Sequence, residues 1–380
     1  MATDLTWVAT APGSSEAARA VGADHRLGLH IGDQEVTLRT TVTGIAVDSG
    51  LDEARVVVAM DDDAYAALCR EESSIFGLLY AGRLRVERGG FERFAAWEPA
   101  LQAVLYDRPV FDGDVAAQFV HADLTRTFTL DDDRTEMAAR LDEFGFLHIR
   151  NAFGADEVAA MSAEVDRLRD LSRPDDRLSW WATNAEGEEV CCRVTYMADR
   201  SPVMSALGND PRLDRLAALT GLQLRCTVDR IDGISVVIKN SAVVQGLSDL
   251  PWHRDCGLGG HPLLCPGVNL GIQLDRADAA NGQLWFLPGS HRHSGPLGDP
   301  TAKGYPTVAI TAEPGDVTVH YGHVLHAAPP PAGATAGRRA IYVGYAQPAL
   351  FDVIGAGEAY NDVLFRDGGG RVRNVRERAD

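Results

Sequence analysis

Two side chains able to grip one cation stand two residues apart, at His253 and Asp255, and a third, His326, lies far downstream with Arg338 beyond it. On an extended strand, residues i and i+2 share a face because side chains alternate with period 2. The pair therefore demands strand geometry at 253–255, and the fold must return another strand to bring His326 to the same place. Two imidazoles and one carboxylate form a facial triad, which holds one side of a metal and leaves the other open. That geometry suits iron(II) that must also bind a cosubstrate and O2. Arg338 adds a planar fork of donors, shaped for a two-pronged hold on a carboxylate such as the far end of 2-oxoglutarate.

A lone His-x-Asp with a distant His arises by chance in many chains, so the surrounding motifs decide its weight. In order along the chain come Trp252 to Asp255 (WHRD), Asn281 to Arg292 (NGQLWFLPGSHR), Gly315 to Val317 (GDV), His326, and Arg338 to Ile341 (RRAI). Upstream lies Glu143 to Phe153 (EFGFLHIRNAF), followed by an acid- and alanine-rich stretch. The series resembles the phytanoyl-CoA dioxygenase family of iron- and 2-oxoglutarate-dependent oxygenases across residues 130–350. The resemblance implies Fe(II) on His253, Asp255 and His326, with 2-oxoglutarate and O2 as cosubstrates. It also implies hydroxylation, or a related oxidation, of an unactivated C–H with release of succinate and CO2. Related halogenases carry a small residue in place of the carboxylate, so Asp255 points to oxygenation.

Other residues compete for roles around this set. Only one of Arg338 and Arg339 faces the site, since strand neighbours alternate. Spacing from His326 and the family's Arg-x-Ala-Ile pattern favour Arg338. Where some relatives place a hydroxyl residue two positions after the last His, this chain has Ala328, which leaves Thr318 or Tyr342 to supply a second carboxylate contact. Gln273 is a candidate hydrogen-bond partner of cosubstrate or ligand, with structural packing the alternative. His320 and His323 crowd the same strand end as His326. The resemblance gives His320 a position that is often His without being a ligand, and His323 reads as a loop residue. His261 and His293 fall in two Gly/Pro-rich loops, 256–267 and 291–307, expected to border the site. Trp285 and Phe286 read as core.

Lysine is rare here. Only Lys239 and Lys303 occur, against 34 arginines (36 basic residues less two lysines). This bias, with abundant Ala, Gly and Asp, is that of a GC-rich bacterial genome. It singles out Lys239, on the strand before the metal-binding one, as an ammonium that reaches an anionic group of substrate or cosubstrate. The alternative is a surface lysine at a strand end.

At 380 residues the chain suits two domains. Segments of β composition at Arg26–Ile31, Glu35–Thr40 and Ala54–Ala59 precede a helix from Ala64, an apolar stretch from Ile75, a short strand at Arg83–Glu87 and one amphipathic helix from Phe91 to Leu105. This order, with Ala81 to Gly89 (AGRLRVERG) before the last helix, resembles the sterol carrier protein 2 family of lipid-binding domains. The alternative is an α+β appendage that packs on the catalytic part or makes a dimer. The expected division is a small α+β domain at 1–110, a linker at 111–129 and the oxygenase domain at 130–380. In the latter, short strands with Gly/Pro turns predict a jelly roll of the cupin type, which the family resemblance sharpens to a double-stranded β-helix with flanking helices.

The formal charge of −18 argues against nucleic acid and anionic membrane surfaces as partners. No apolar run approaches the length of a membrane span, and the start of the sequence lacks a secretion signal, so a cytoplasmic location is expected. Six cysteines without CxxC or disulfide-scaffold spacing fit reduced thiols. The expected partner is a small molecule, with an apolar character suggested by the carrier-like domain. The rival reading is a non-catalytic lipid carrier with an inactive β-barrel.

Overall fold

Gly/Asp turns cut the first 110 residues into strands that pair as one five-stranded sheet. The strands are β1 (Arg26–Ile31), β2 (Gln34–Thr40), β3 (Ile45–Ser49), β4 (Val56–Met60) and β5 (Leu84–Arg88), in the order β3-β2-β1-β4-β5. Only β1 and β4 run parallel. In this computed structural model residues 5–357 are described, apart from 23, 81, 185, 241–242, 244–249, 256–266, 297 and 332–336. Cys256, His261, Cys265 and nearly all of the first expected loop therefore lie outside the described residues.

Helices α1 (Ser14–Val21), α2 (Asp62–Cys69) and α3 (Ile75–Tyr80) accompany this sheet. Asp61 caps α2 by accepting from the Ala64 N–H at 2.6 Å. The single helix expected from 91 to 105 is instead two, α4 (Phe91–Ala95) and α5 (Glu98–Tyr106). Pro99 explains the break. It has no N–H to continue a helix, yet it sits without cost in the first turn of a new one. Phe94, Trp97, Leu101 and Val104 join Leu27, Ile31 and Val58 in an apolar cluster of this part of the chain.

The stretch at 111–129 is packed rather than free. Asp112 caps the short helix α6 (Gly113–Ala117), and Phe111 and Ala116 cluster with Leu287 and Leu325 of the second part. Beyond it, α7 (Arg134–Phe144) and α8 (Ala155–Leu171) flank two antiparallel sheets. The larger contains β6 (Phe146–Ile149), β7 (Ser179–Thr183), β8 (Glu189–Val194), β9 (Arg225–Cys226), β10 (Ser235–Lys239), β12 (Val268–Gln273), β15 (Val317–Tyr321) and β17 (Arg338–Ala346). The smaller contains β11 (Leu250–His253), β13 (Trp285–Phe286), β14 (Val308–Ala309) and β16 (His326–Ala328). Their orders are β6-β15-β12-β17-β10-β8-β7, with β9 on β17, and β11-β16-β13-β14.

Alternation sorts the residues of the larger sheet. Val268, Leu270, Ile272, Val317, Val319, Ile341 and Val343 pack with Val158, Met161 and Val165 of α8 in the main core. The alternate positions, Asn269, Gly271, Gln273, Thr318, His320, Arg338 and Tyr342, lie on the other face, where His320 meets His326 of the smaller sheet and Asn269 reaches Asp255. The architecture is mixed α/β with antiparallel sheets in the second part. Among the described residues no helix is long and apolar enough to cross a membrane.

Candidate metal centre

Strand pairing puts His253 directly opposite His326 on β16. Asp255 follows β11, held by its N–H donating to the Gly322 carbonyl at 2.9 Å. Nδ1 of His253 lies 2.7 Å from the Pro251 carbonyl, and Nδ1 of His326 lies 3.0 Å from that of Val324. A carbonyl only accepts, so each Nδ1 carries the proton and each Nε2 keeps its lone pair. Those Nε2 atoms stand 3.5 and 3.7 Å from Asp255 Oδ1. The three donor atoms lie within 4.8 Å of one another. Adjacent ligands about 2.1 Å from a metal sit about 3 Å apart, so only a small contraction is needed to close around an ion.

The other carboxylate oxygen is already engaged. Asn269 Nδ2 donates to Asp255 Oδ2 at 2.6 Å, and His320 Nε2 lies 3.4 Å from the same atom. Oδ1 is thus the oxygen left for a metal. Burial works against ionisation of Asp255, but the surrounding His326, His253 and His320 hold its carboxyl well below the usual range. Burial pushes His326 down to about 3, against the pull of Asp255, so it is a neutral imidazole with a free lone pair at physiological pH. The donor set fits Fe(II).

A cationic end lies beside this centre. Register places Lys239 opposite Arg338 and Gln273 opposite Ala340, while Gly271 faces both Thr318 and Tyr342. Arg338 is 3% exposed and donates to Gln273 Oε1 at 3.0 Å and to the Gly282 carbonyl at 3.1 Å. Its Nε has no hydrogen-bond partner, and no carboxylate pairs with it among the described residues. A buried guanidinium met mainly by neutral acceptors is poised for an incoming anion. Arg339 differs. It points to the opposite face and is ion-paired with Asp275 at 2.8 Å and Asp166 at 3.0 Å.

Lys239 is fully buried, and its ammonium donates to the carbonyls of Ala328 and Pro329. Thr318 is buried and its hydroxyl lies 3.4 Å from the Gly271 carbonyl. Burial raises the Tyr342 phenol, with Arg338 pulling the other way. Gly271 keeps this end open, because a Cβ there would stand 2.7 Å from Thr318 Oγ1 and 3.0 Å from the Tyr342 ring.

The remaining histidines separate from the centre. His323 is buried, with Arg108 and Arg254 as its charged surroundings rather than Asp255. His293 Nδ1 donates to the Gly289 carbonyl, and its ring meets Phe111 edge-on. Phe286 is buried and stacks on Phe146, while Trp285 beside it is only half-buried. Two polar residues escaped the reading of the sequence. Asn269 shares a strand face with Gln273, and that alternation was the available signal. His148, paired with Asp316 at 2.8 Å inside the sheet, had none, because its partner is 168 residues away.

A family model described as phytanoyl-CoA dioxygenase (PhyH) matches residues 141–340. Among curated proteins, ectoine dioxygenase from Bordetella parapertussis is 29% identical over 152 residues, which is 39% of this chain and 46% of that protein. The chain thus matches less than half the length of this relative. Among solved structures, AviO1 from Streptomyces viridochromogenes is 29% identical with a TM-score of 0.46, covering 57% of this chain and 96% of that one. EctD from S. alaskensis with bound Fe is 22% identical with a TM-score of 0.48, covering 67% and 86%.

Proposed function

The chain belongs to the phytanoyl-CoA dioxygenase family, and we propose that it is an oxygenase acting on an unactivated C–H of a small, lipid-like or natural-product substrate. Its cofactors are iron(II) and 2-oxoglutarate. Iron(II), 2-oxoglutarate and O2 supply the oxidising chemistry, with succinate and CO2 as co-products. The observation that carries this reading is the convergence of His253 Nε2, His326 Nε2 and Asp255 Oδ1.

In this reading the protein's own groups divide the work. His253 and His326 offer neutral nitrogens because backbone carbonyls hold their Nδ1 protons. Asn269 and His320 hold Asp255 Oδ2, so that one oxygen is presented. Arg338 takes the far carboxylate of 2-oxoglutarate, with Gln273 holding its guanidinium plane and Lys239 adding positive charge alongside. Thr318 and Tyr342, either side of Gly271, are the further contacts to that carboxylate.

We read the two facing sheets as a double-stranded β-helix and residues 1–110 as a sterol carrier protein 2-like domain. The second reading rests on the order of its elements, since the apolar cavity among Leu29, Val58, Met60, Leu68, Leu101 and Val104 is about 20 Å³, the size of one water rather than of a lipid. The test is anaerobic iron titration of the purified protein, followed by succinate release with 2-oxoglutarate. One iron per chain is expected, with loss of turnover by more than about 100-fold in His253→Ala, Asp255→Ala and His326→Ala. His323→Ala should keep its iron. Absence of iron binding and succinate release in the folded protein would favour the non-catalytic lipid carrier.

A further inference from the structure

The larger sheet runs two strands past β10, and its inner face there carries a cation that the metal centre does not use. Register sets Arg193 of β8 opposite Val237 of β10 and Trp180 of β7, and Val237 opposite Ala340 of β17. Cross-strand partners share a face. Arg193 therefore lies on the side of Arg338, Lys239 and Tyr342, while its neighbour Val194 joins the main core with Val236. The guanidinium lies over the Trp180 ring, 4.8 Å from its centroid. Its Nη2 meets Asp232 Oδ2 at 2.9 Å and donates to Ser235 Oγ at 3.2 Å. Nε is buried without a hydrogen-bond partner, yet the side chain as a whole is 21% exposed, so a ligand can reach it.

The backbone beside this arginine is held in an unusual shape. Ile231, Asp232 and Gly233 take successive left-handed conformations, with φ of 51°, 67° and 57°. A β-branched residue rarely enters that region, and such strain collects where ligands are held. What the turn achieves is to set the buried Asp232 carboxylate against one end of the guanidinium. Trp180, Asp232 and Ser235 thus fix the plane of Arg193 from three sides. Toward the metal centre the same face continues through the half-buried Tyr342 and Gly344 to Asn269, which holds Asp255. With iron and 2-oxoglutarate bound, the positive charges named on this face (Arg193, Lys239, Arg338 and the metal) exceed the negative ones (Asp232, Asp255 and the cosubstrate) by a single charge.

We propose that Arg193 is a substrate-binding residue, whose guanidinium takes the one carboxylate of a substrate with an apolar body. A carboxylate brings the negative charge that this face lacks, and a guanidinium already held in plane suits it better than a mobile ammonium does. Strand spacing sets the reach. β8 is three strand steps of about 4.8 Å from β12, so with side chains allowed for the carboxylate sits on the order of 10 Å from the carbon presented to the metal. This rests on the reading of the chain as an iron- and 2-oxoglutarate-dependent oxygenase, and it names the substrate class of that same site.

The experiment titrates the full chain, loaded anaerobically with iron and 2-oxoglutarate, with octanoate and with octanamide, and reads dissociation constants by calorimetry. Octanoate matches the span, and octanamide is its nearest neutral counterpart. Wild type should bind octanoate at least about tenfold more tightly than octanamide. Arg193→Met should abolish that preference while leaving the affinities for octanamide, iron and 2-oxoglutarate as they were. A purely structural Arg193 would instead weaken both probes alike, and that result overturns the proposal. So does a wild type that binds neither probe or both equally, or a preference that survives in Arg193→Met. Should Arg193→Met not fold, Arg193→Lys carries the test. It keeps the charge and loses the planar fork, so a smaller preference is expected and an unchanged one overturns the proposal. Failure of the wild type itself to bind iron or 2-oxoglutarate would instead overturn the oxygenase reading.

Discussion

Arg338 and Arg339 are chain neighbours with opposite surroundings. One is buried against Gln273 and Gly282, and the other is tied to Asp275 and Asp166. The chemistry of two arginines is the same, so environment alone assigns them different work. Arg338→Ala should weaken 2-oxoglutarate binding by about 100-fold, the scale of losing a charge-assisted, two-pronged contact. Lys239→Met, which keeps the stem and removes the charge, should weaken it in the same direction but less. Arg339→Ala should lower the melting temperature and leave binding near wild type. Calorimetric titration of the iron-loaded variants with 2-oxoglutarate checks all three. The reverse ranking of the two arginines would mean that the wrong one faces the site.

Strand β12 joins the core to the site through strict alternation. Its apolar residues meet α8, and its Asn269, Gly271 and Gln273 meet the centre. A glycine in mid-strand weakens the strand unless something needs the space. Here the space lies between Thr318 and Tyr342. Gly271→Val should raise the 2-oxoglutarate requirement at least about tenfold through steric filling, while iron content stays the same. Unchanged kinetics in a folded Gly271→Val protein would show that this gap is not used. Element positions were largely legible, since β1 spans the expected 26–31 and β5 lies one residue from the expected 83–87. The helix break at Pro99 was not, because the apolar spacing of Phe94, Trp97 and Leu101 continues across it.

At the scale of the molecule, buried histidines couple folding to pH. Burial lowers His291 to about 4 and His326 to about 3, and holds His323 well below its ordinary value. In the unfolded chain these groups titrate near about 6.5. The native state therefore binds fewer protons than the unfolded one between those values. Its stability is fully present above the unfolded value and drains away as pH falls toward the folded ones. The metal-free protein should lose thermal stability steadily from pH 6.5 to pH 4, above the range where most carboxylates titrate. His291→Gln should flatten that slope, read as melting temperature against pH. A flat profile in the wild type would mean that these rings are not buried as neutral groups.

What the sequence determined by itself was local and periodic. His253 and Asp255 share a face because strands alternate, and the ordered motifs around His326 and Arg338 carried the family resemblance. Long-range geometry lay beyond it. Nothing local says that Lys239 pairs across from Arg338, that Asn269 reaches Asp255, or that His148 pairs with Asp316. Those relations depend on which strands become neighbours and on what each burial leaves without charge compensation. Burial and register are properties of the closed structure, and only the tertiary fold decides them.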